Sequence, residues 1–441
     1  MPHETFRYRS TEELHNKALE LGLNLPIQDS ITPLLEPVNI GSKTVPNRIA
    51  VHPMEGFDSK SDGSPGKSAF RRYGRYASGG NGMIQFEATA ITQDGRSNPG
   101  QLLLNEKNLD SFKQLVDHTR SEARQEFGDT HDPFLVLQIT HSGRYSKPDG
   151  KPLNKVAAYN PNLDHDREKL NFFSDAELDE LKETYIKAVI LTKQAGFDAV
   201  DIKACHGYLL HELLGSHTRE DSKYGGSFEN RTRFLLEVVE AAHREAPEMV
   251  TAVRLNATDG IAFPYGFGVP EDGTPYIDLS EPKLLIRQLI AMGCSLINIT
   301  TGIPYHSPQL VRPFDRPVKG TSIPEEHPLE GVMRMVNIAG ELQHEFPETP
   351  IVGTGYSWLR HYYPYVGAAV LNSGNAALIG LGRNSFAYPD SPKDLMELGE
   401  LNLRKSCVTC SKCTELMRMG RKTGCVTRDT DIYLREYKRK D

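Results

Sequence analysis

Short apolar runs, each the length of a buried parallel strand, alternate along this chain with longer segments whose apolar positions recur at helical period. The runs fall at residues 48–52, 83–88, 134–140, 198–203, 250–255, 295–300, 350–353 and 376–380. Among the helical segments 174–195 is the clearest. Ser174 and Glu177 have the spacing of a capping box, and Leu178, Leu181, Tyr185, Val189 and Thr192 share one face. Eight strand-and-helix units in strict alternation predict an α/β fold, a (β/α)8 TIM barrel rather than an open doubly wound sheet. Stretches rich in Pro and Gly (56–66, 143–161, 260–275 and 303–328) all follow strands, so they read as active-site loops.

Length and charge narrow this picture. At 441 residues one barrel with insertions takes most of the chain. A polar lead-in with an amphipathic patch (Leu14, Ala18, Leu21) predicts an N-terminal extension over 1–30, a barrel over 31–400 and a cysteine-rich tail over 401–441. The net charge of -7 comes from 51 basic and 58 acidic residues without a basic block, so no nucleic-acid or anionic-membrane partner is expected. The first residues carry no apolar signal segment and no run is long enough to span a membrane, which together predict a cytoplasmic protein. Composition leaves a monomer and a homo-oligomer both open.

Loops after barrel strands converge on one face, and polar side chains gather at the predicted strand ends. His52-Pro53-Met54 follows the first run, Glu87-Ala88 closes the second, and Gln138 lies in the third. Lys203 ends the fourth, His206 and Tyr208 follow it, and Arg254 lies in the fifth; Gly302, Gly355 and Gly382-Arg383 follow the sixth, seventh and eighth. Glycines in those last positions let backbone N–H groups approach phosphate oxygens, and an arginine adds a charged donor, so a phosphate-bearing ligand is expected. The alternative for any single glycine is a tight turn.

The stretch HGYLLHELLGSHTREDSKYGGSFENRTRF, residues 206–234, resembles the signature of the old yellow enzyme family of FMN-dependent oxidoreductases. The resemblance covers roughly residues 33–390. It implies that Pro53, Met54 and Ala88 flank the flavin ring, that Gln138 meets its pyrimidine edge, and that Arg254 lies near N1. By the same resemblance Gly302, Gly355, Gly382 and Arg383 hold the phosphate. Tyr208 matches the family's proton donor to the substrate α carbon, and His206 the second member of the pair that holds the substrate carbonyl oxygen. The first member is usually histidine, and here it is Lys203. That lysine either favours a charged acceptor or forms a salt bridge within the protein. QITHSGRYS (138–146) and GIPYH (302–306) are similar to stretches of 2,4-dienoyl-CoA reductases, where the residue matching His306 assists protonation.

The resemblance extends to iron-sulfur members of the family, including trimethylamine dehydrogenase. Cys407-x2-Cys410-x2-Cys413-x11-Cys425 supplies thiolates in the pattern of a [4Fe-4S] cluster, with structural zinc as the alternative. The expected activity is ene-reduction of a small unsaturated carbonyl or acyl substrate. The alternatives are an amine dehydrogenase or demethylase, and a non-catalytic flavin or cluster carrier. NAD(P)H is the expected electron donor, direct or indirect. Only residues 426–441 follow the last cysteine, and no GxGxxG follows a strand. A separate ferredoxin-like or flavoprotein donor is therefore expected to dock near Arg418, Arg421, Lys422 and Arg428.

Overall fold

The computed structural model describes residues 3–439. Its centre is a closed barrel of eight parallel strands: β1 (Ile49–Val51), β2 (Met83–Ala90), β3 (Phe134–Thr140), β4 (Ala199–Ala204), β5 (Val250–Asn256), β6 (Cys294–Thr300), β7 (Ile351–Gly353) and β8 (Leu378–Leu381). Each strand pairs with the next, and β8 closes onto β1 through Ile379↔Ile49, Gly380↔Ala50 and Leu381↔Val51. The strands are buried nearly throughout, which is why they read as continuous apolar runs rather than as alternating ones.

The long helices sit outside the barrel for the reason their patterns give. Asp175–Gln194 starts on the Ser174/Glu177 capping box and buries Leu178, Leu181, Tyr185, Val189 and Thr192. The N-terminal helix Thr11–Glu20 buries Leu14 and Ala18 in a second apolar cluster with Phe6, Tyr8, Trp358 and Tyr362. Two short strands, Val38–Ile40 and Lys43–Val45, form an antiparallel hairpin absent from the sequence expectation. Their Ile40 and Val45 join Met83, Phe134, Ala199, Leu296 and Val352, so the hairpin plugs the barrel floor.

Asp198, just before β4, fastens that floor. Its carboxylate accepts two bonds from Arg120 Nη2 at 2.8 Å and one from the Leu135 N–H at 2.8 Å, and it pairs with Lys43 of the hairpin. Its side chain is 3 % exposed, so deleting it leaves the buried Leu135 N–H without its acceptor and leaves Arg120 with Asp132 as its one carboxylate. Asp198→Ala is expected to cost about 2 kcal/mol of stability, read as a lowered denaturation midpoint at unchanged flavin-pocket geometry. An unshifted midpoint would remove the floor network from the account.

Candidate active site

Where the strands end, a cavity is lined by His52, Pro53, Met54 and Glu55 after β1, and by Lys203, His206 and Tyr208 at the end of β4. Arg254 of β5, Arg312 from the long loop after β6, Thr354, Gly355 and Ser357 after β7, and Gly382 and Arg383 after β8 complete it. Of the residues expected on the phosphate side, Gly355, Gly382 and Arg383 line this cavity. Gly355 has φ 101°, a conformation a side chain would strain, and a Cβ there would meet Met335 Sδ at 2.8 Å. Arginines supply the unspent donors. Arg254 Nε, Arg312 Nε and Nη2, and Arg383 Nη1 are buried without a partner, the donor set that an anionic, polar cofactor such as FMN satisfies.

Three of the expected flavin residues stand behind this lining. Gln138 donates to Asp201 Oδ2 at 2.7 Å, and the carbonyl of Ala88 accepts from Gln101 Nε2 at 2.8 Å. Gly302 accepts from Asn256 Nδ2 at 3.0 Å. Asp201 also accepts from the Arg254 N–H at 2.7 Å and so ties β3, β4 and β5 together; burial raises its pKa to about 6.

The centre of the pocket is organised by a residue that sequence reasoning missed. Glu55 accepts from Tyr208 OH at 2.8 Å and from Ser97 Oγ at 2.9 Å, and Lys203 Nζ lies 3.4 Å from the same carboxylate. Lys203 Nζ also stands 3.2 Å from the centroid of the Tyr208 ring. Lys203 is thus salt-bridged within the protein, the second of the two fates expected for it. Glu55 follows directly on the Pro53-Met54 pair, and only its place in that loop could have marked it. Burial, and then the Glu55 charge, push the Tyr208 phenol well above the usual tyrosine range, so it keeps its proton. His206 contacts Thr300 Oγ1 at 3.1 Å through Nε2, and burial followed by the Arg254 and Lys203 charges holds it well below the usual histidine range, so it is neutral. His306 does not join these three. It is exposed and lines an outer vestibule with Tyr145, Lys147 and Tyr305, which opens onto the inner cavity past Tyr305, Met417 and Arg418.

The tail is docked on the same end of the barrel. Asp429 accepts from Arg71 and Arg75 at 2.7 and 2.9 Å, the Thr423 N–H donates to the Gly56 carbonyl at 2.7 Å, and the Cys407 N–H donates to Asn384 Oδ1 at 3.1 Å. Among the described residues no group of three or more His, Cys, Asp or Glu could hold a metal ion. Cys407, Cys410, Cys413 and Cys425 nevertheless line one cavity, and four thiols around a common space are a donor set that fits a [4Fe-4S] cluster. Two of the sulfurs already accept backbone N–H bonds, Cys407 from Thr409 and Cys425 from Arg428, each at 3.3 Å. Arg383 walls both this cavity and the inner pocket, and Lys412–Arg418, the helix that carries Cys413, puts Thr414, Met417 and Arg418 into the pocket lining.

The basic residues expected to face a protein donor take different places in the tail. Arg421 is buried and donates to the Glu436 carbonyl at 3.0 Å, Arg428 donates to the Ser406 carbonyl at 3.1 Å, and Arg418 sits at the pocket mouth. Lys422 is exposed.

A parallel barrel with an arginine-lined pocket at its strand ends defines a class, and the sequence comparisons give the family. The model of the NADH:flavin oxidoreductase / NADH oxidase family matches residues 33–267, and the chain belongs to that family, the old yellow enzymes. Dimethylamine dehydrogenase of Hyphomicrobium sp. (strain x) is 26% identical over 406 residues, covering 88% of this chain and 48% of that one. NADPH dehydrogenase of Bacillus cytotoxicus is 32% identical over 234 residues, 52% of this chain and 63% of the relative. The chain thus spans about half to two thirds of the length of these relatives. Among solved structures, a 2-naphthoyl-CoA reductase complex superposes with TM-score 0.72 at 21% identity, covering 93% of this chain and 58% of that one. Histamine dehydrogenase from Rhizobium sp. 4-9 gives 0.69 at 21% identity over 90% and 52%. At that identity the likeness is one of fold. Among the described residues no helix is long and apolar enough to cross a membrane.

Proposed function

We propose that residues 31–400 form the FMN-binding barrel, and 401–441 the [4Fe-4S]-binding tail, of an enzyme that reduces an activated carbon-carbon double bond. The observation that carries this reading is the charge of the inner pocket. Lys203, Arg254, Arg312, Arg383 and Arg418 line it against a single carboxylate, Glu55, which Lys203 already pairs. Two of those cations are needed for a cofactor phosphate and one for the flavin ring, and a positive surplus remains. It suits an acceptor that becomes an enolate and opposes an ammonium substrate.

When bound, FMN supplies the hydride that reaches the substrate β carbon. Pro53 and Met54 would flank its ring with Ala88 behind them, Arg254 would take its polar edge backed by Gln138, and Gly355, Gly382 and Arg383 would take its phosphate beside Gly302. His206, neutral, donates to the carbonyl oxygen and stabilises the charge that develops there. Tyr208 holds its one hydrogen toward Glu55 until substrate turns the phenol to the α carbon. The phenolate left behind lies under the Lys203 ammonium, which offsets its charge. His306, in the outer vestibule, meets the remote part of the substrate. Cys407, Cys410, Cys413 and Cys425 would hold the cluster, which would supply electrons to the pocket on the other side of Arg383, their source being NAD(P)H or a carrier protein.

An amine dehydrogenase is the competing reading, favoured by the dimethylamine dehydrogenase relative. The two separate under argon. Chemically reduced enzyme is expected to be reoxidised by α,β-unsaturated acyl compounds in a saturable step, and oxidised enzyme to be left oxidised by dimethylamine. The reverse pattern would overturn the proposal.

A further inference from the structure

A carboxylate beside an electron-rich aromatic face is how proteins hold ammonium ions, the quaternary and methylated ones above all. The inner pocket contains such a cage. Glu55 is 6 % exposed and Tyr208 5 %, the phenol donates to Glu55 at 2.8 Å, and the ring face stands next to the same carboxylate. Lys203 reaches this point from the end of β4, on the far side of the barrel mouth from the β1 loop that carries Glu55. Its Nζ lies 3.2 Å from the ring centroid and 3.4 Å from Glu55 Oε1, which is the position a bound ammonium would take. The family resemblance puts a histidine here, a side chain too short and too wide to fill that position with a point charge.

We propose that Lys203 is a tethered cation occupying an ammonium cage made by Glu55 and the Tyr208 ring, and that this occupancy is what excludes amines from the pocket. The inference rests on the reading above only in taking the pocket as the place where substrate enters. Two consequences follow from the chemistry of the cage. Removing the side chain frees a site of known make-up, since Lys203→Ala deletes Cγ, Cδ, Cε and Nζ, as many heavy atoms as a trimethylammonium ion has. Removing the charge while keeping most of the bulk does not free it, since Lys203→Met retains three of those four atom positions.

The experiment is titration calorimetry of the flavin-loaded protein with trimethylammonium chloride, and with tert-butanol as a neutral molecule of like size. Wild-type protein and Lys203→Met are expected to show no saturable heat. Lys203→Ala is expected to bind trimethylammonium at least about tenfold more tightly than either, a gain within the range of a desolvated cation and aromatic ring. It should not bind tert-butanol, and Glu55→Gln added to Lys203→Ala should abolish the gain. Should the small variant lose FMN, trimethylammonium present throughout purification is expected to restore it, because the ion then replaces the missing plug. The cage is overturned by equal binding to wild type and Lys203→Ala, by equal binding to Lys203→Met and Lys203→Ala, or by a flavin-poor Lys203→Ala that trimethylammonium does not rescue. Failure of the functional reading shows elsewhere, as absence of enoate reduction by the wild-type enzyme.

Discussion

Tyr208→Phe is expected to slow electron transfer from the reduced enzyme to an α,β-unsaturated acyl compound by roughly a hundred- to ten-thousand-fold, the usual worth of a positioned proton donor. FMN content and the rate of flavin reduction should stay near wild type. The structure argues for this separation. Phenylalanine keeps the ring face over which Lys203 Nζ stands, and Glu55 keeps Ser97 Oγ and Lys203 as partners, so one hydrogen bond is lost, at a cost of about 1 kcal/mol. The wild-type phenol is held above the ordinary tyrosine range by burial and by Glu55. Its proton is therefore retained as the pH rises through the range where a free phenol ionises, and the acceptor step should show no alkaline fall there. Rapid mixing of each half-reaction under argon checks both statements. Equal losses in the two halves would make Tyr208 a structural residue.

The second large effect belongs to the tail. Iron and acid-labile sulfide are expected at about four each per chain beside one FMN, and Cys410→Ala should remove nearly all of both. Cys410 suits this test because it stands at the cavity edge, near Thr427 Oγ1 at 3.4 Å, whereas Cys413 and Cys425 also pack on the main apolar core. The tail should stay docked in the variant, since Asp429 remains clamped by Arg71 and Arg75 and Leu416, Val426 and Tyr433 keep their own small core. Flavin reduction by a reduced carrier protein should then collapse, while any direct reduction by NAD(P)H persists. Stoichiometric zinc without sulfide in the wild-type protein would contradict the cluster.

The barrel was legible because parallel strands buried on both faces leave apolar runs that no surface strand leaves. All eight expected runs overlap the observed strands, and Phe134–Thr140 coincides with its run end to end. The floor hairpin was not legible. Val38–Ile40 and Lys43–Val45 are three residues each and bury only Ile40 and Val45, too little for a period. At the site, strand-end residues such as Lys203 and Arg254 could be placed from spacing, since a strand end fixes where a side chain begins. Their partners could not, because contacts such as Lys203 to Glu55 join a strand end to a loop 148 residues away. In the tail, charge alone did not disclose that Arg421 and Arg428 donate to backbone carbonyls of the tail itself. His306 sits in a loop whose course no local pattern records, and it ends in the outer vestibule.

The account's central claim is that the pocket around Tyr208, His206 and Lys203 delivers electrons to an activated double bond. Single-turnover product analysis tests it most directly. Enzyme reduced with dithionite, freed of excess reductant under argon and given an α,β-unsaturated acyl compound should yield saturated product in step with the return of oxidised flavin, and Tyr208→Phe should form it far more slowly. Reoxidation without saturated product, or full reduction of the oxidised enzyme by a secondary amine, would contradict it.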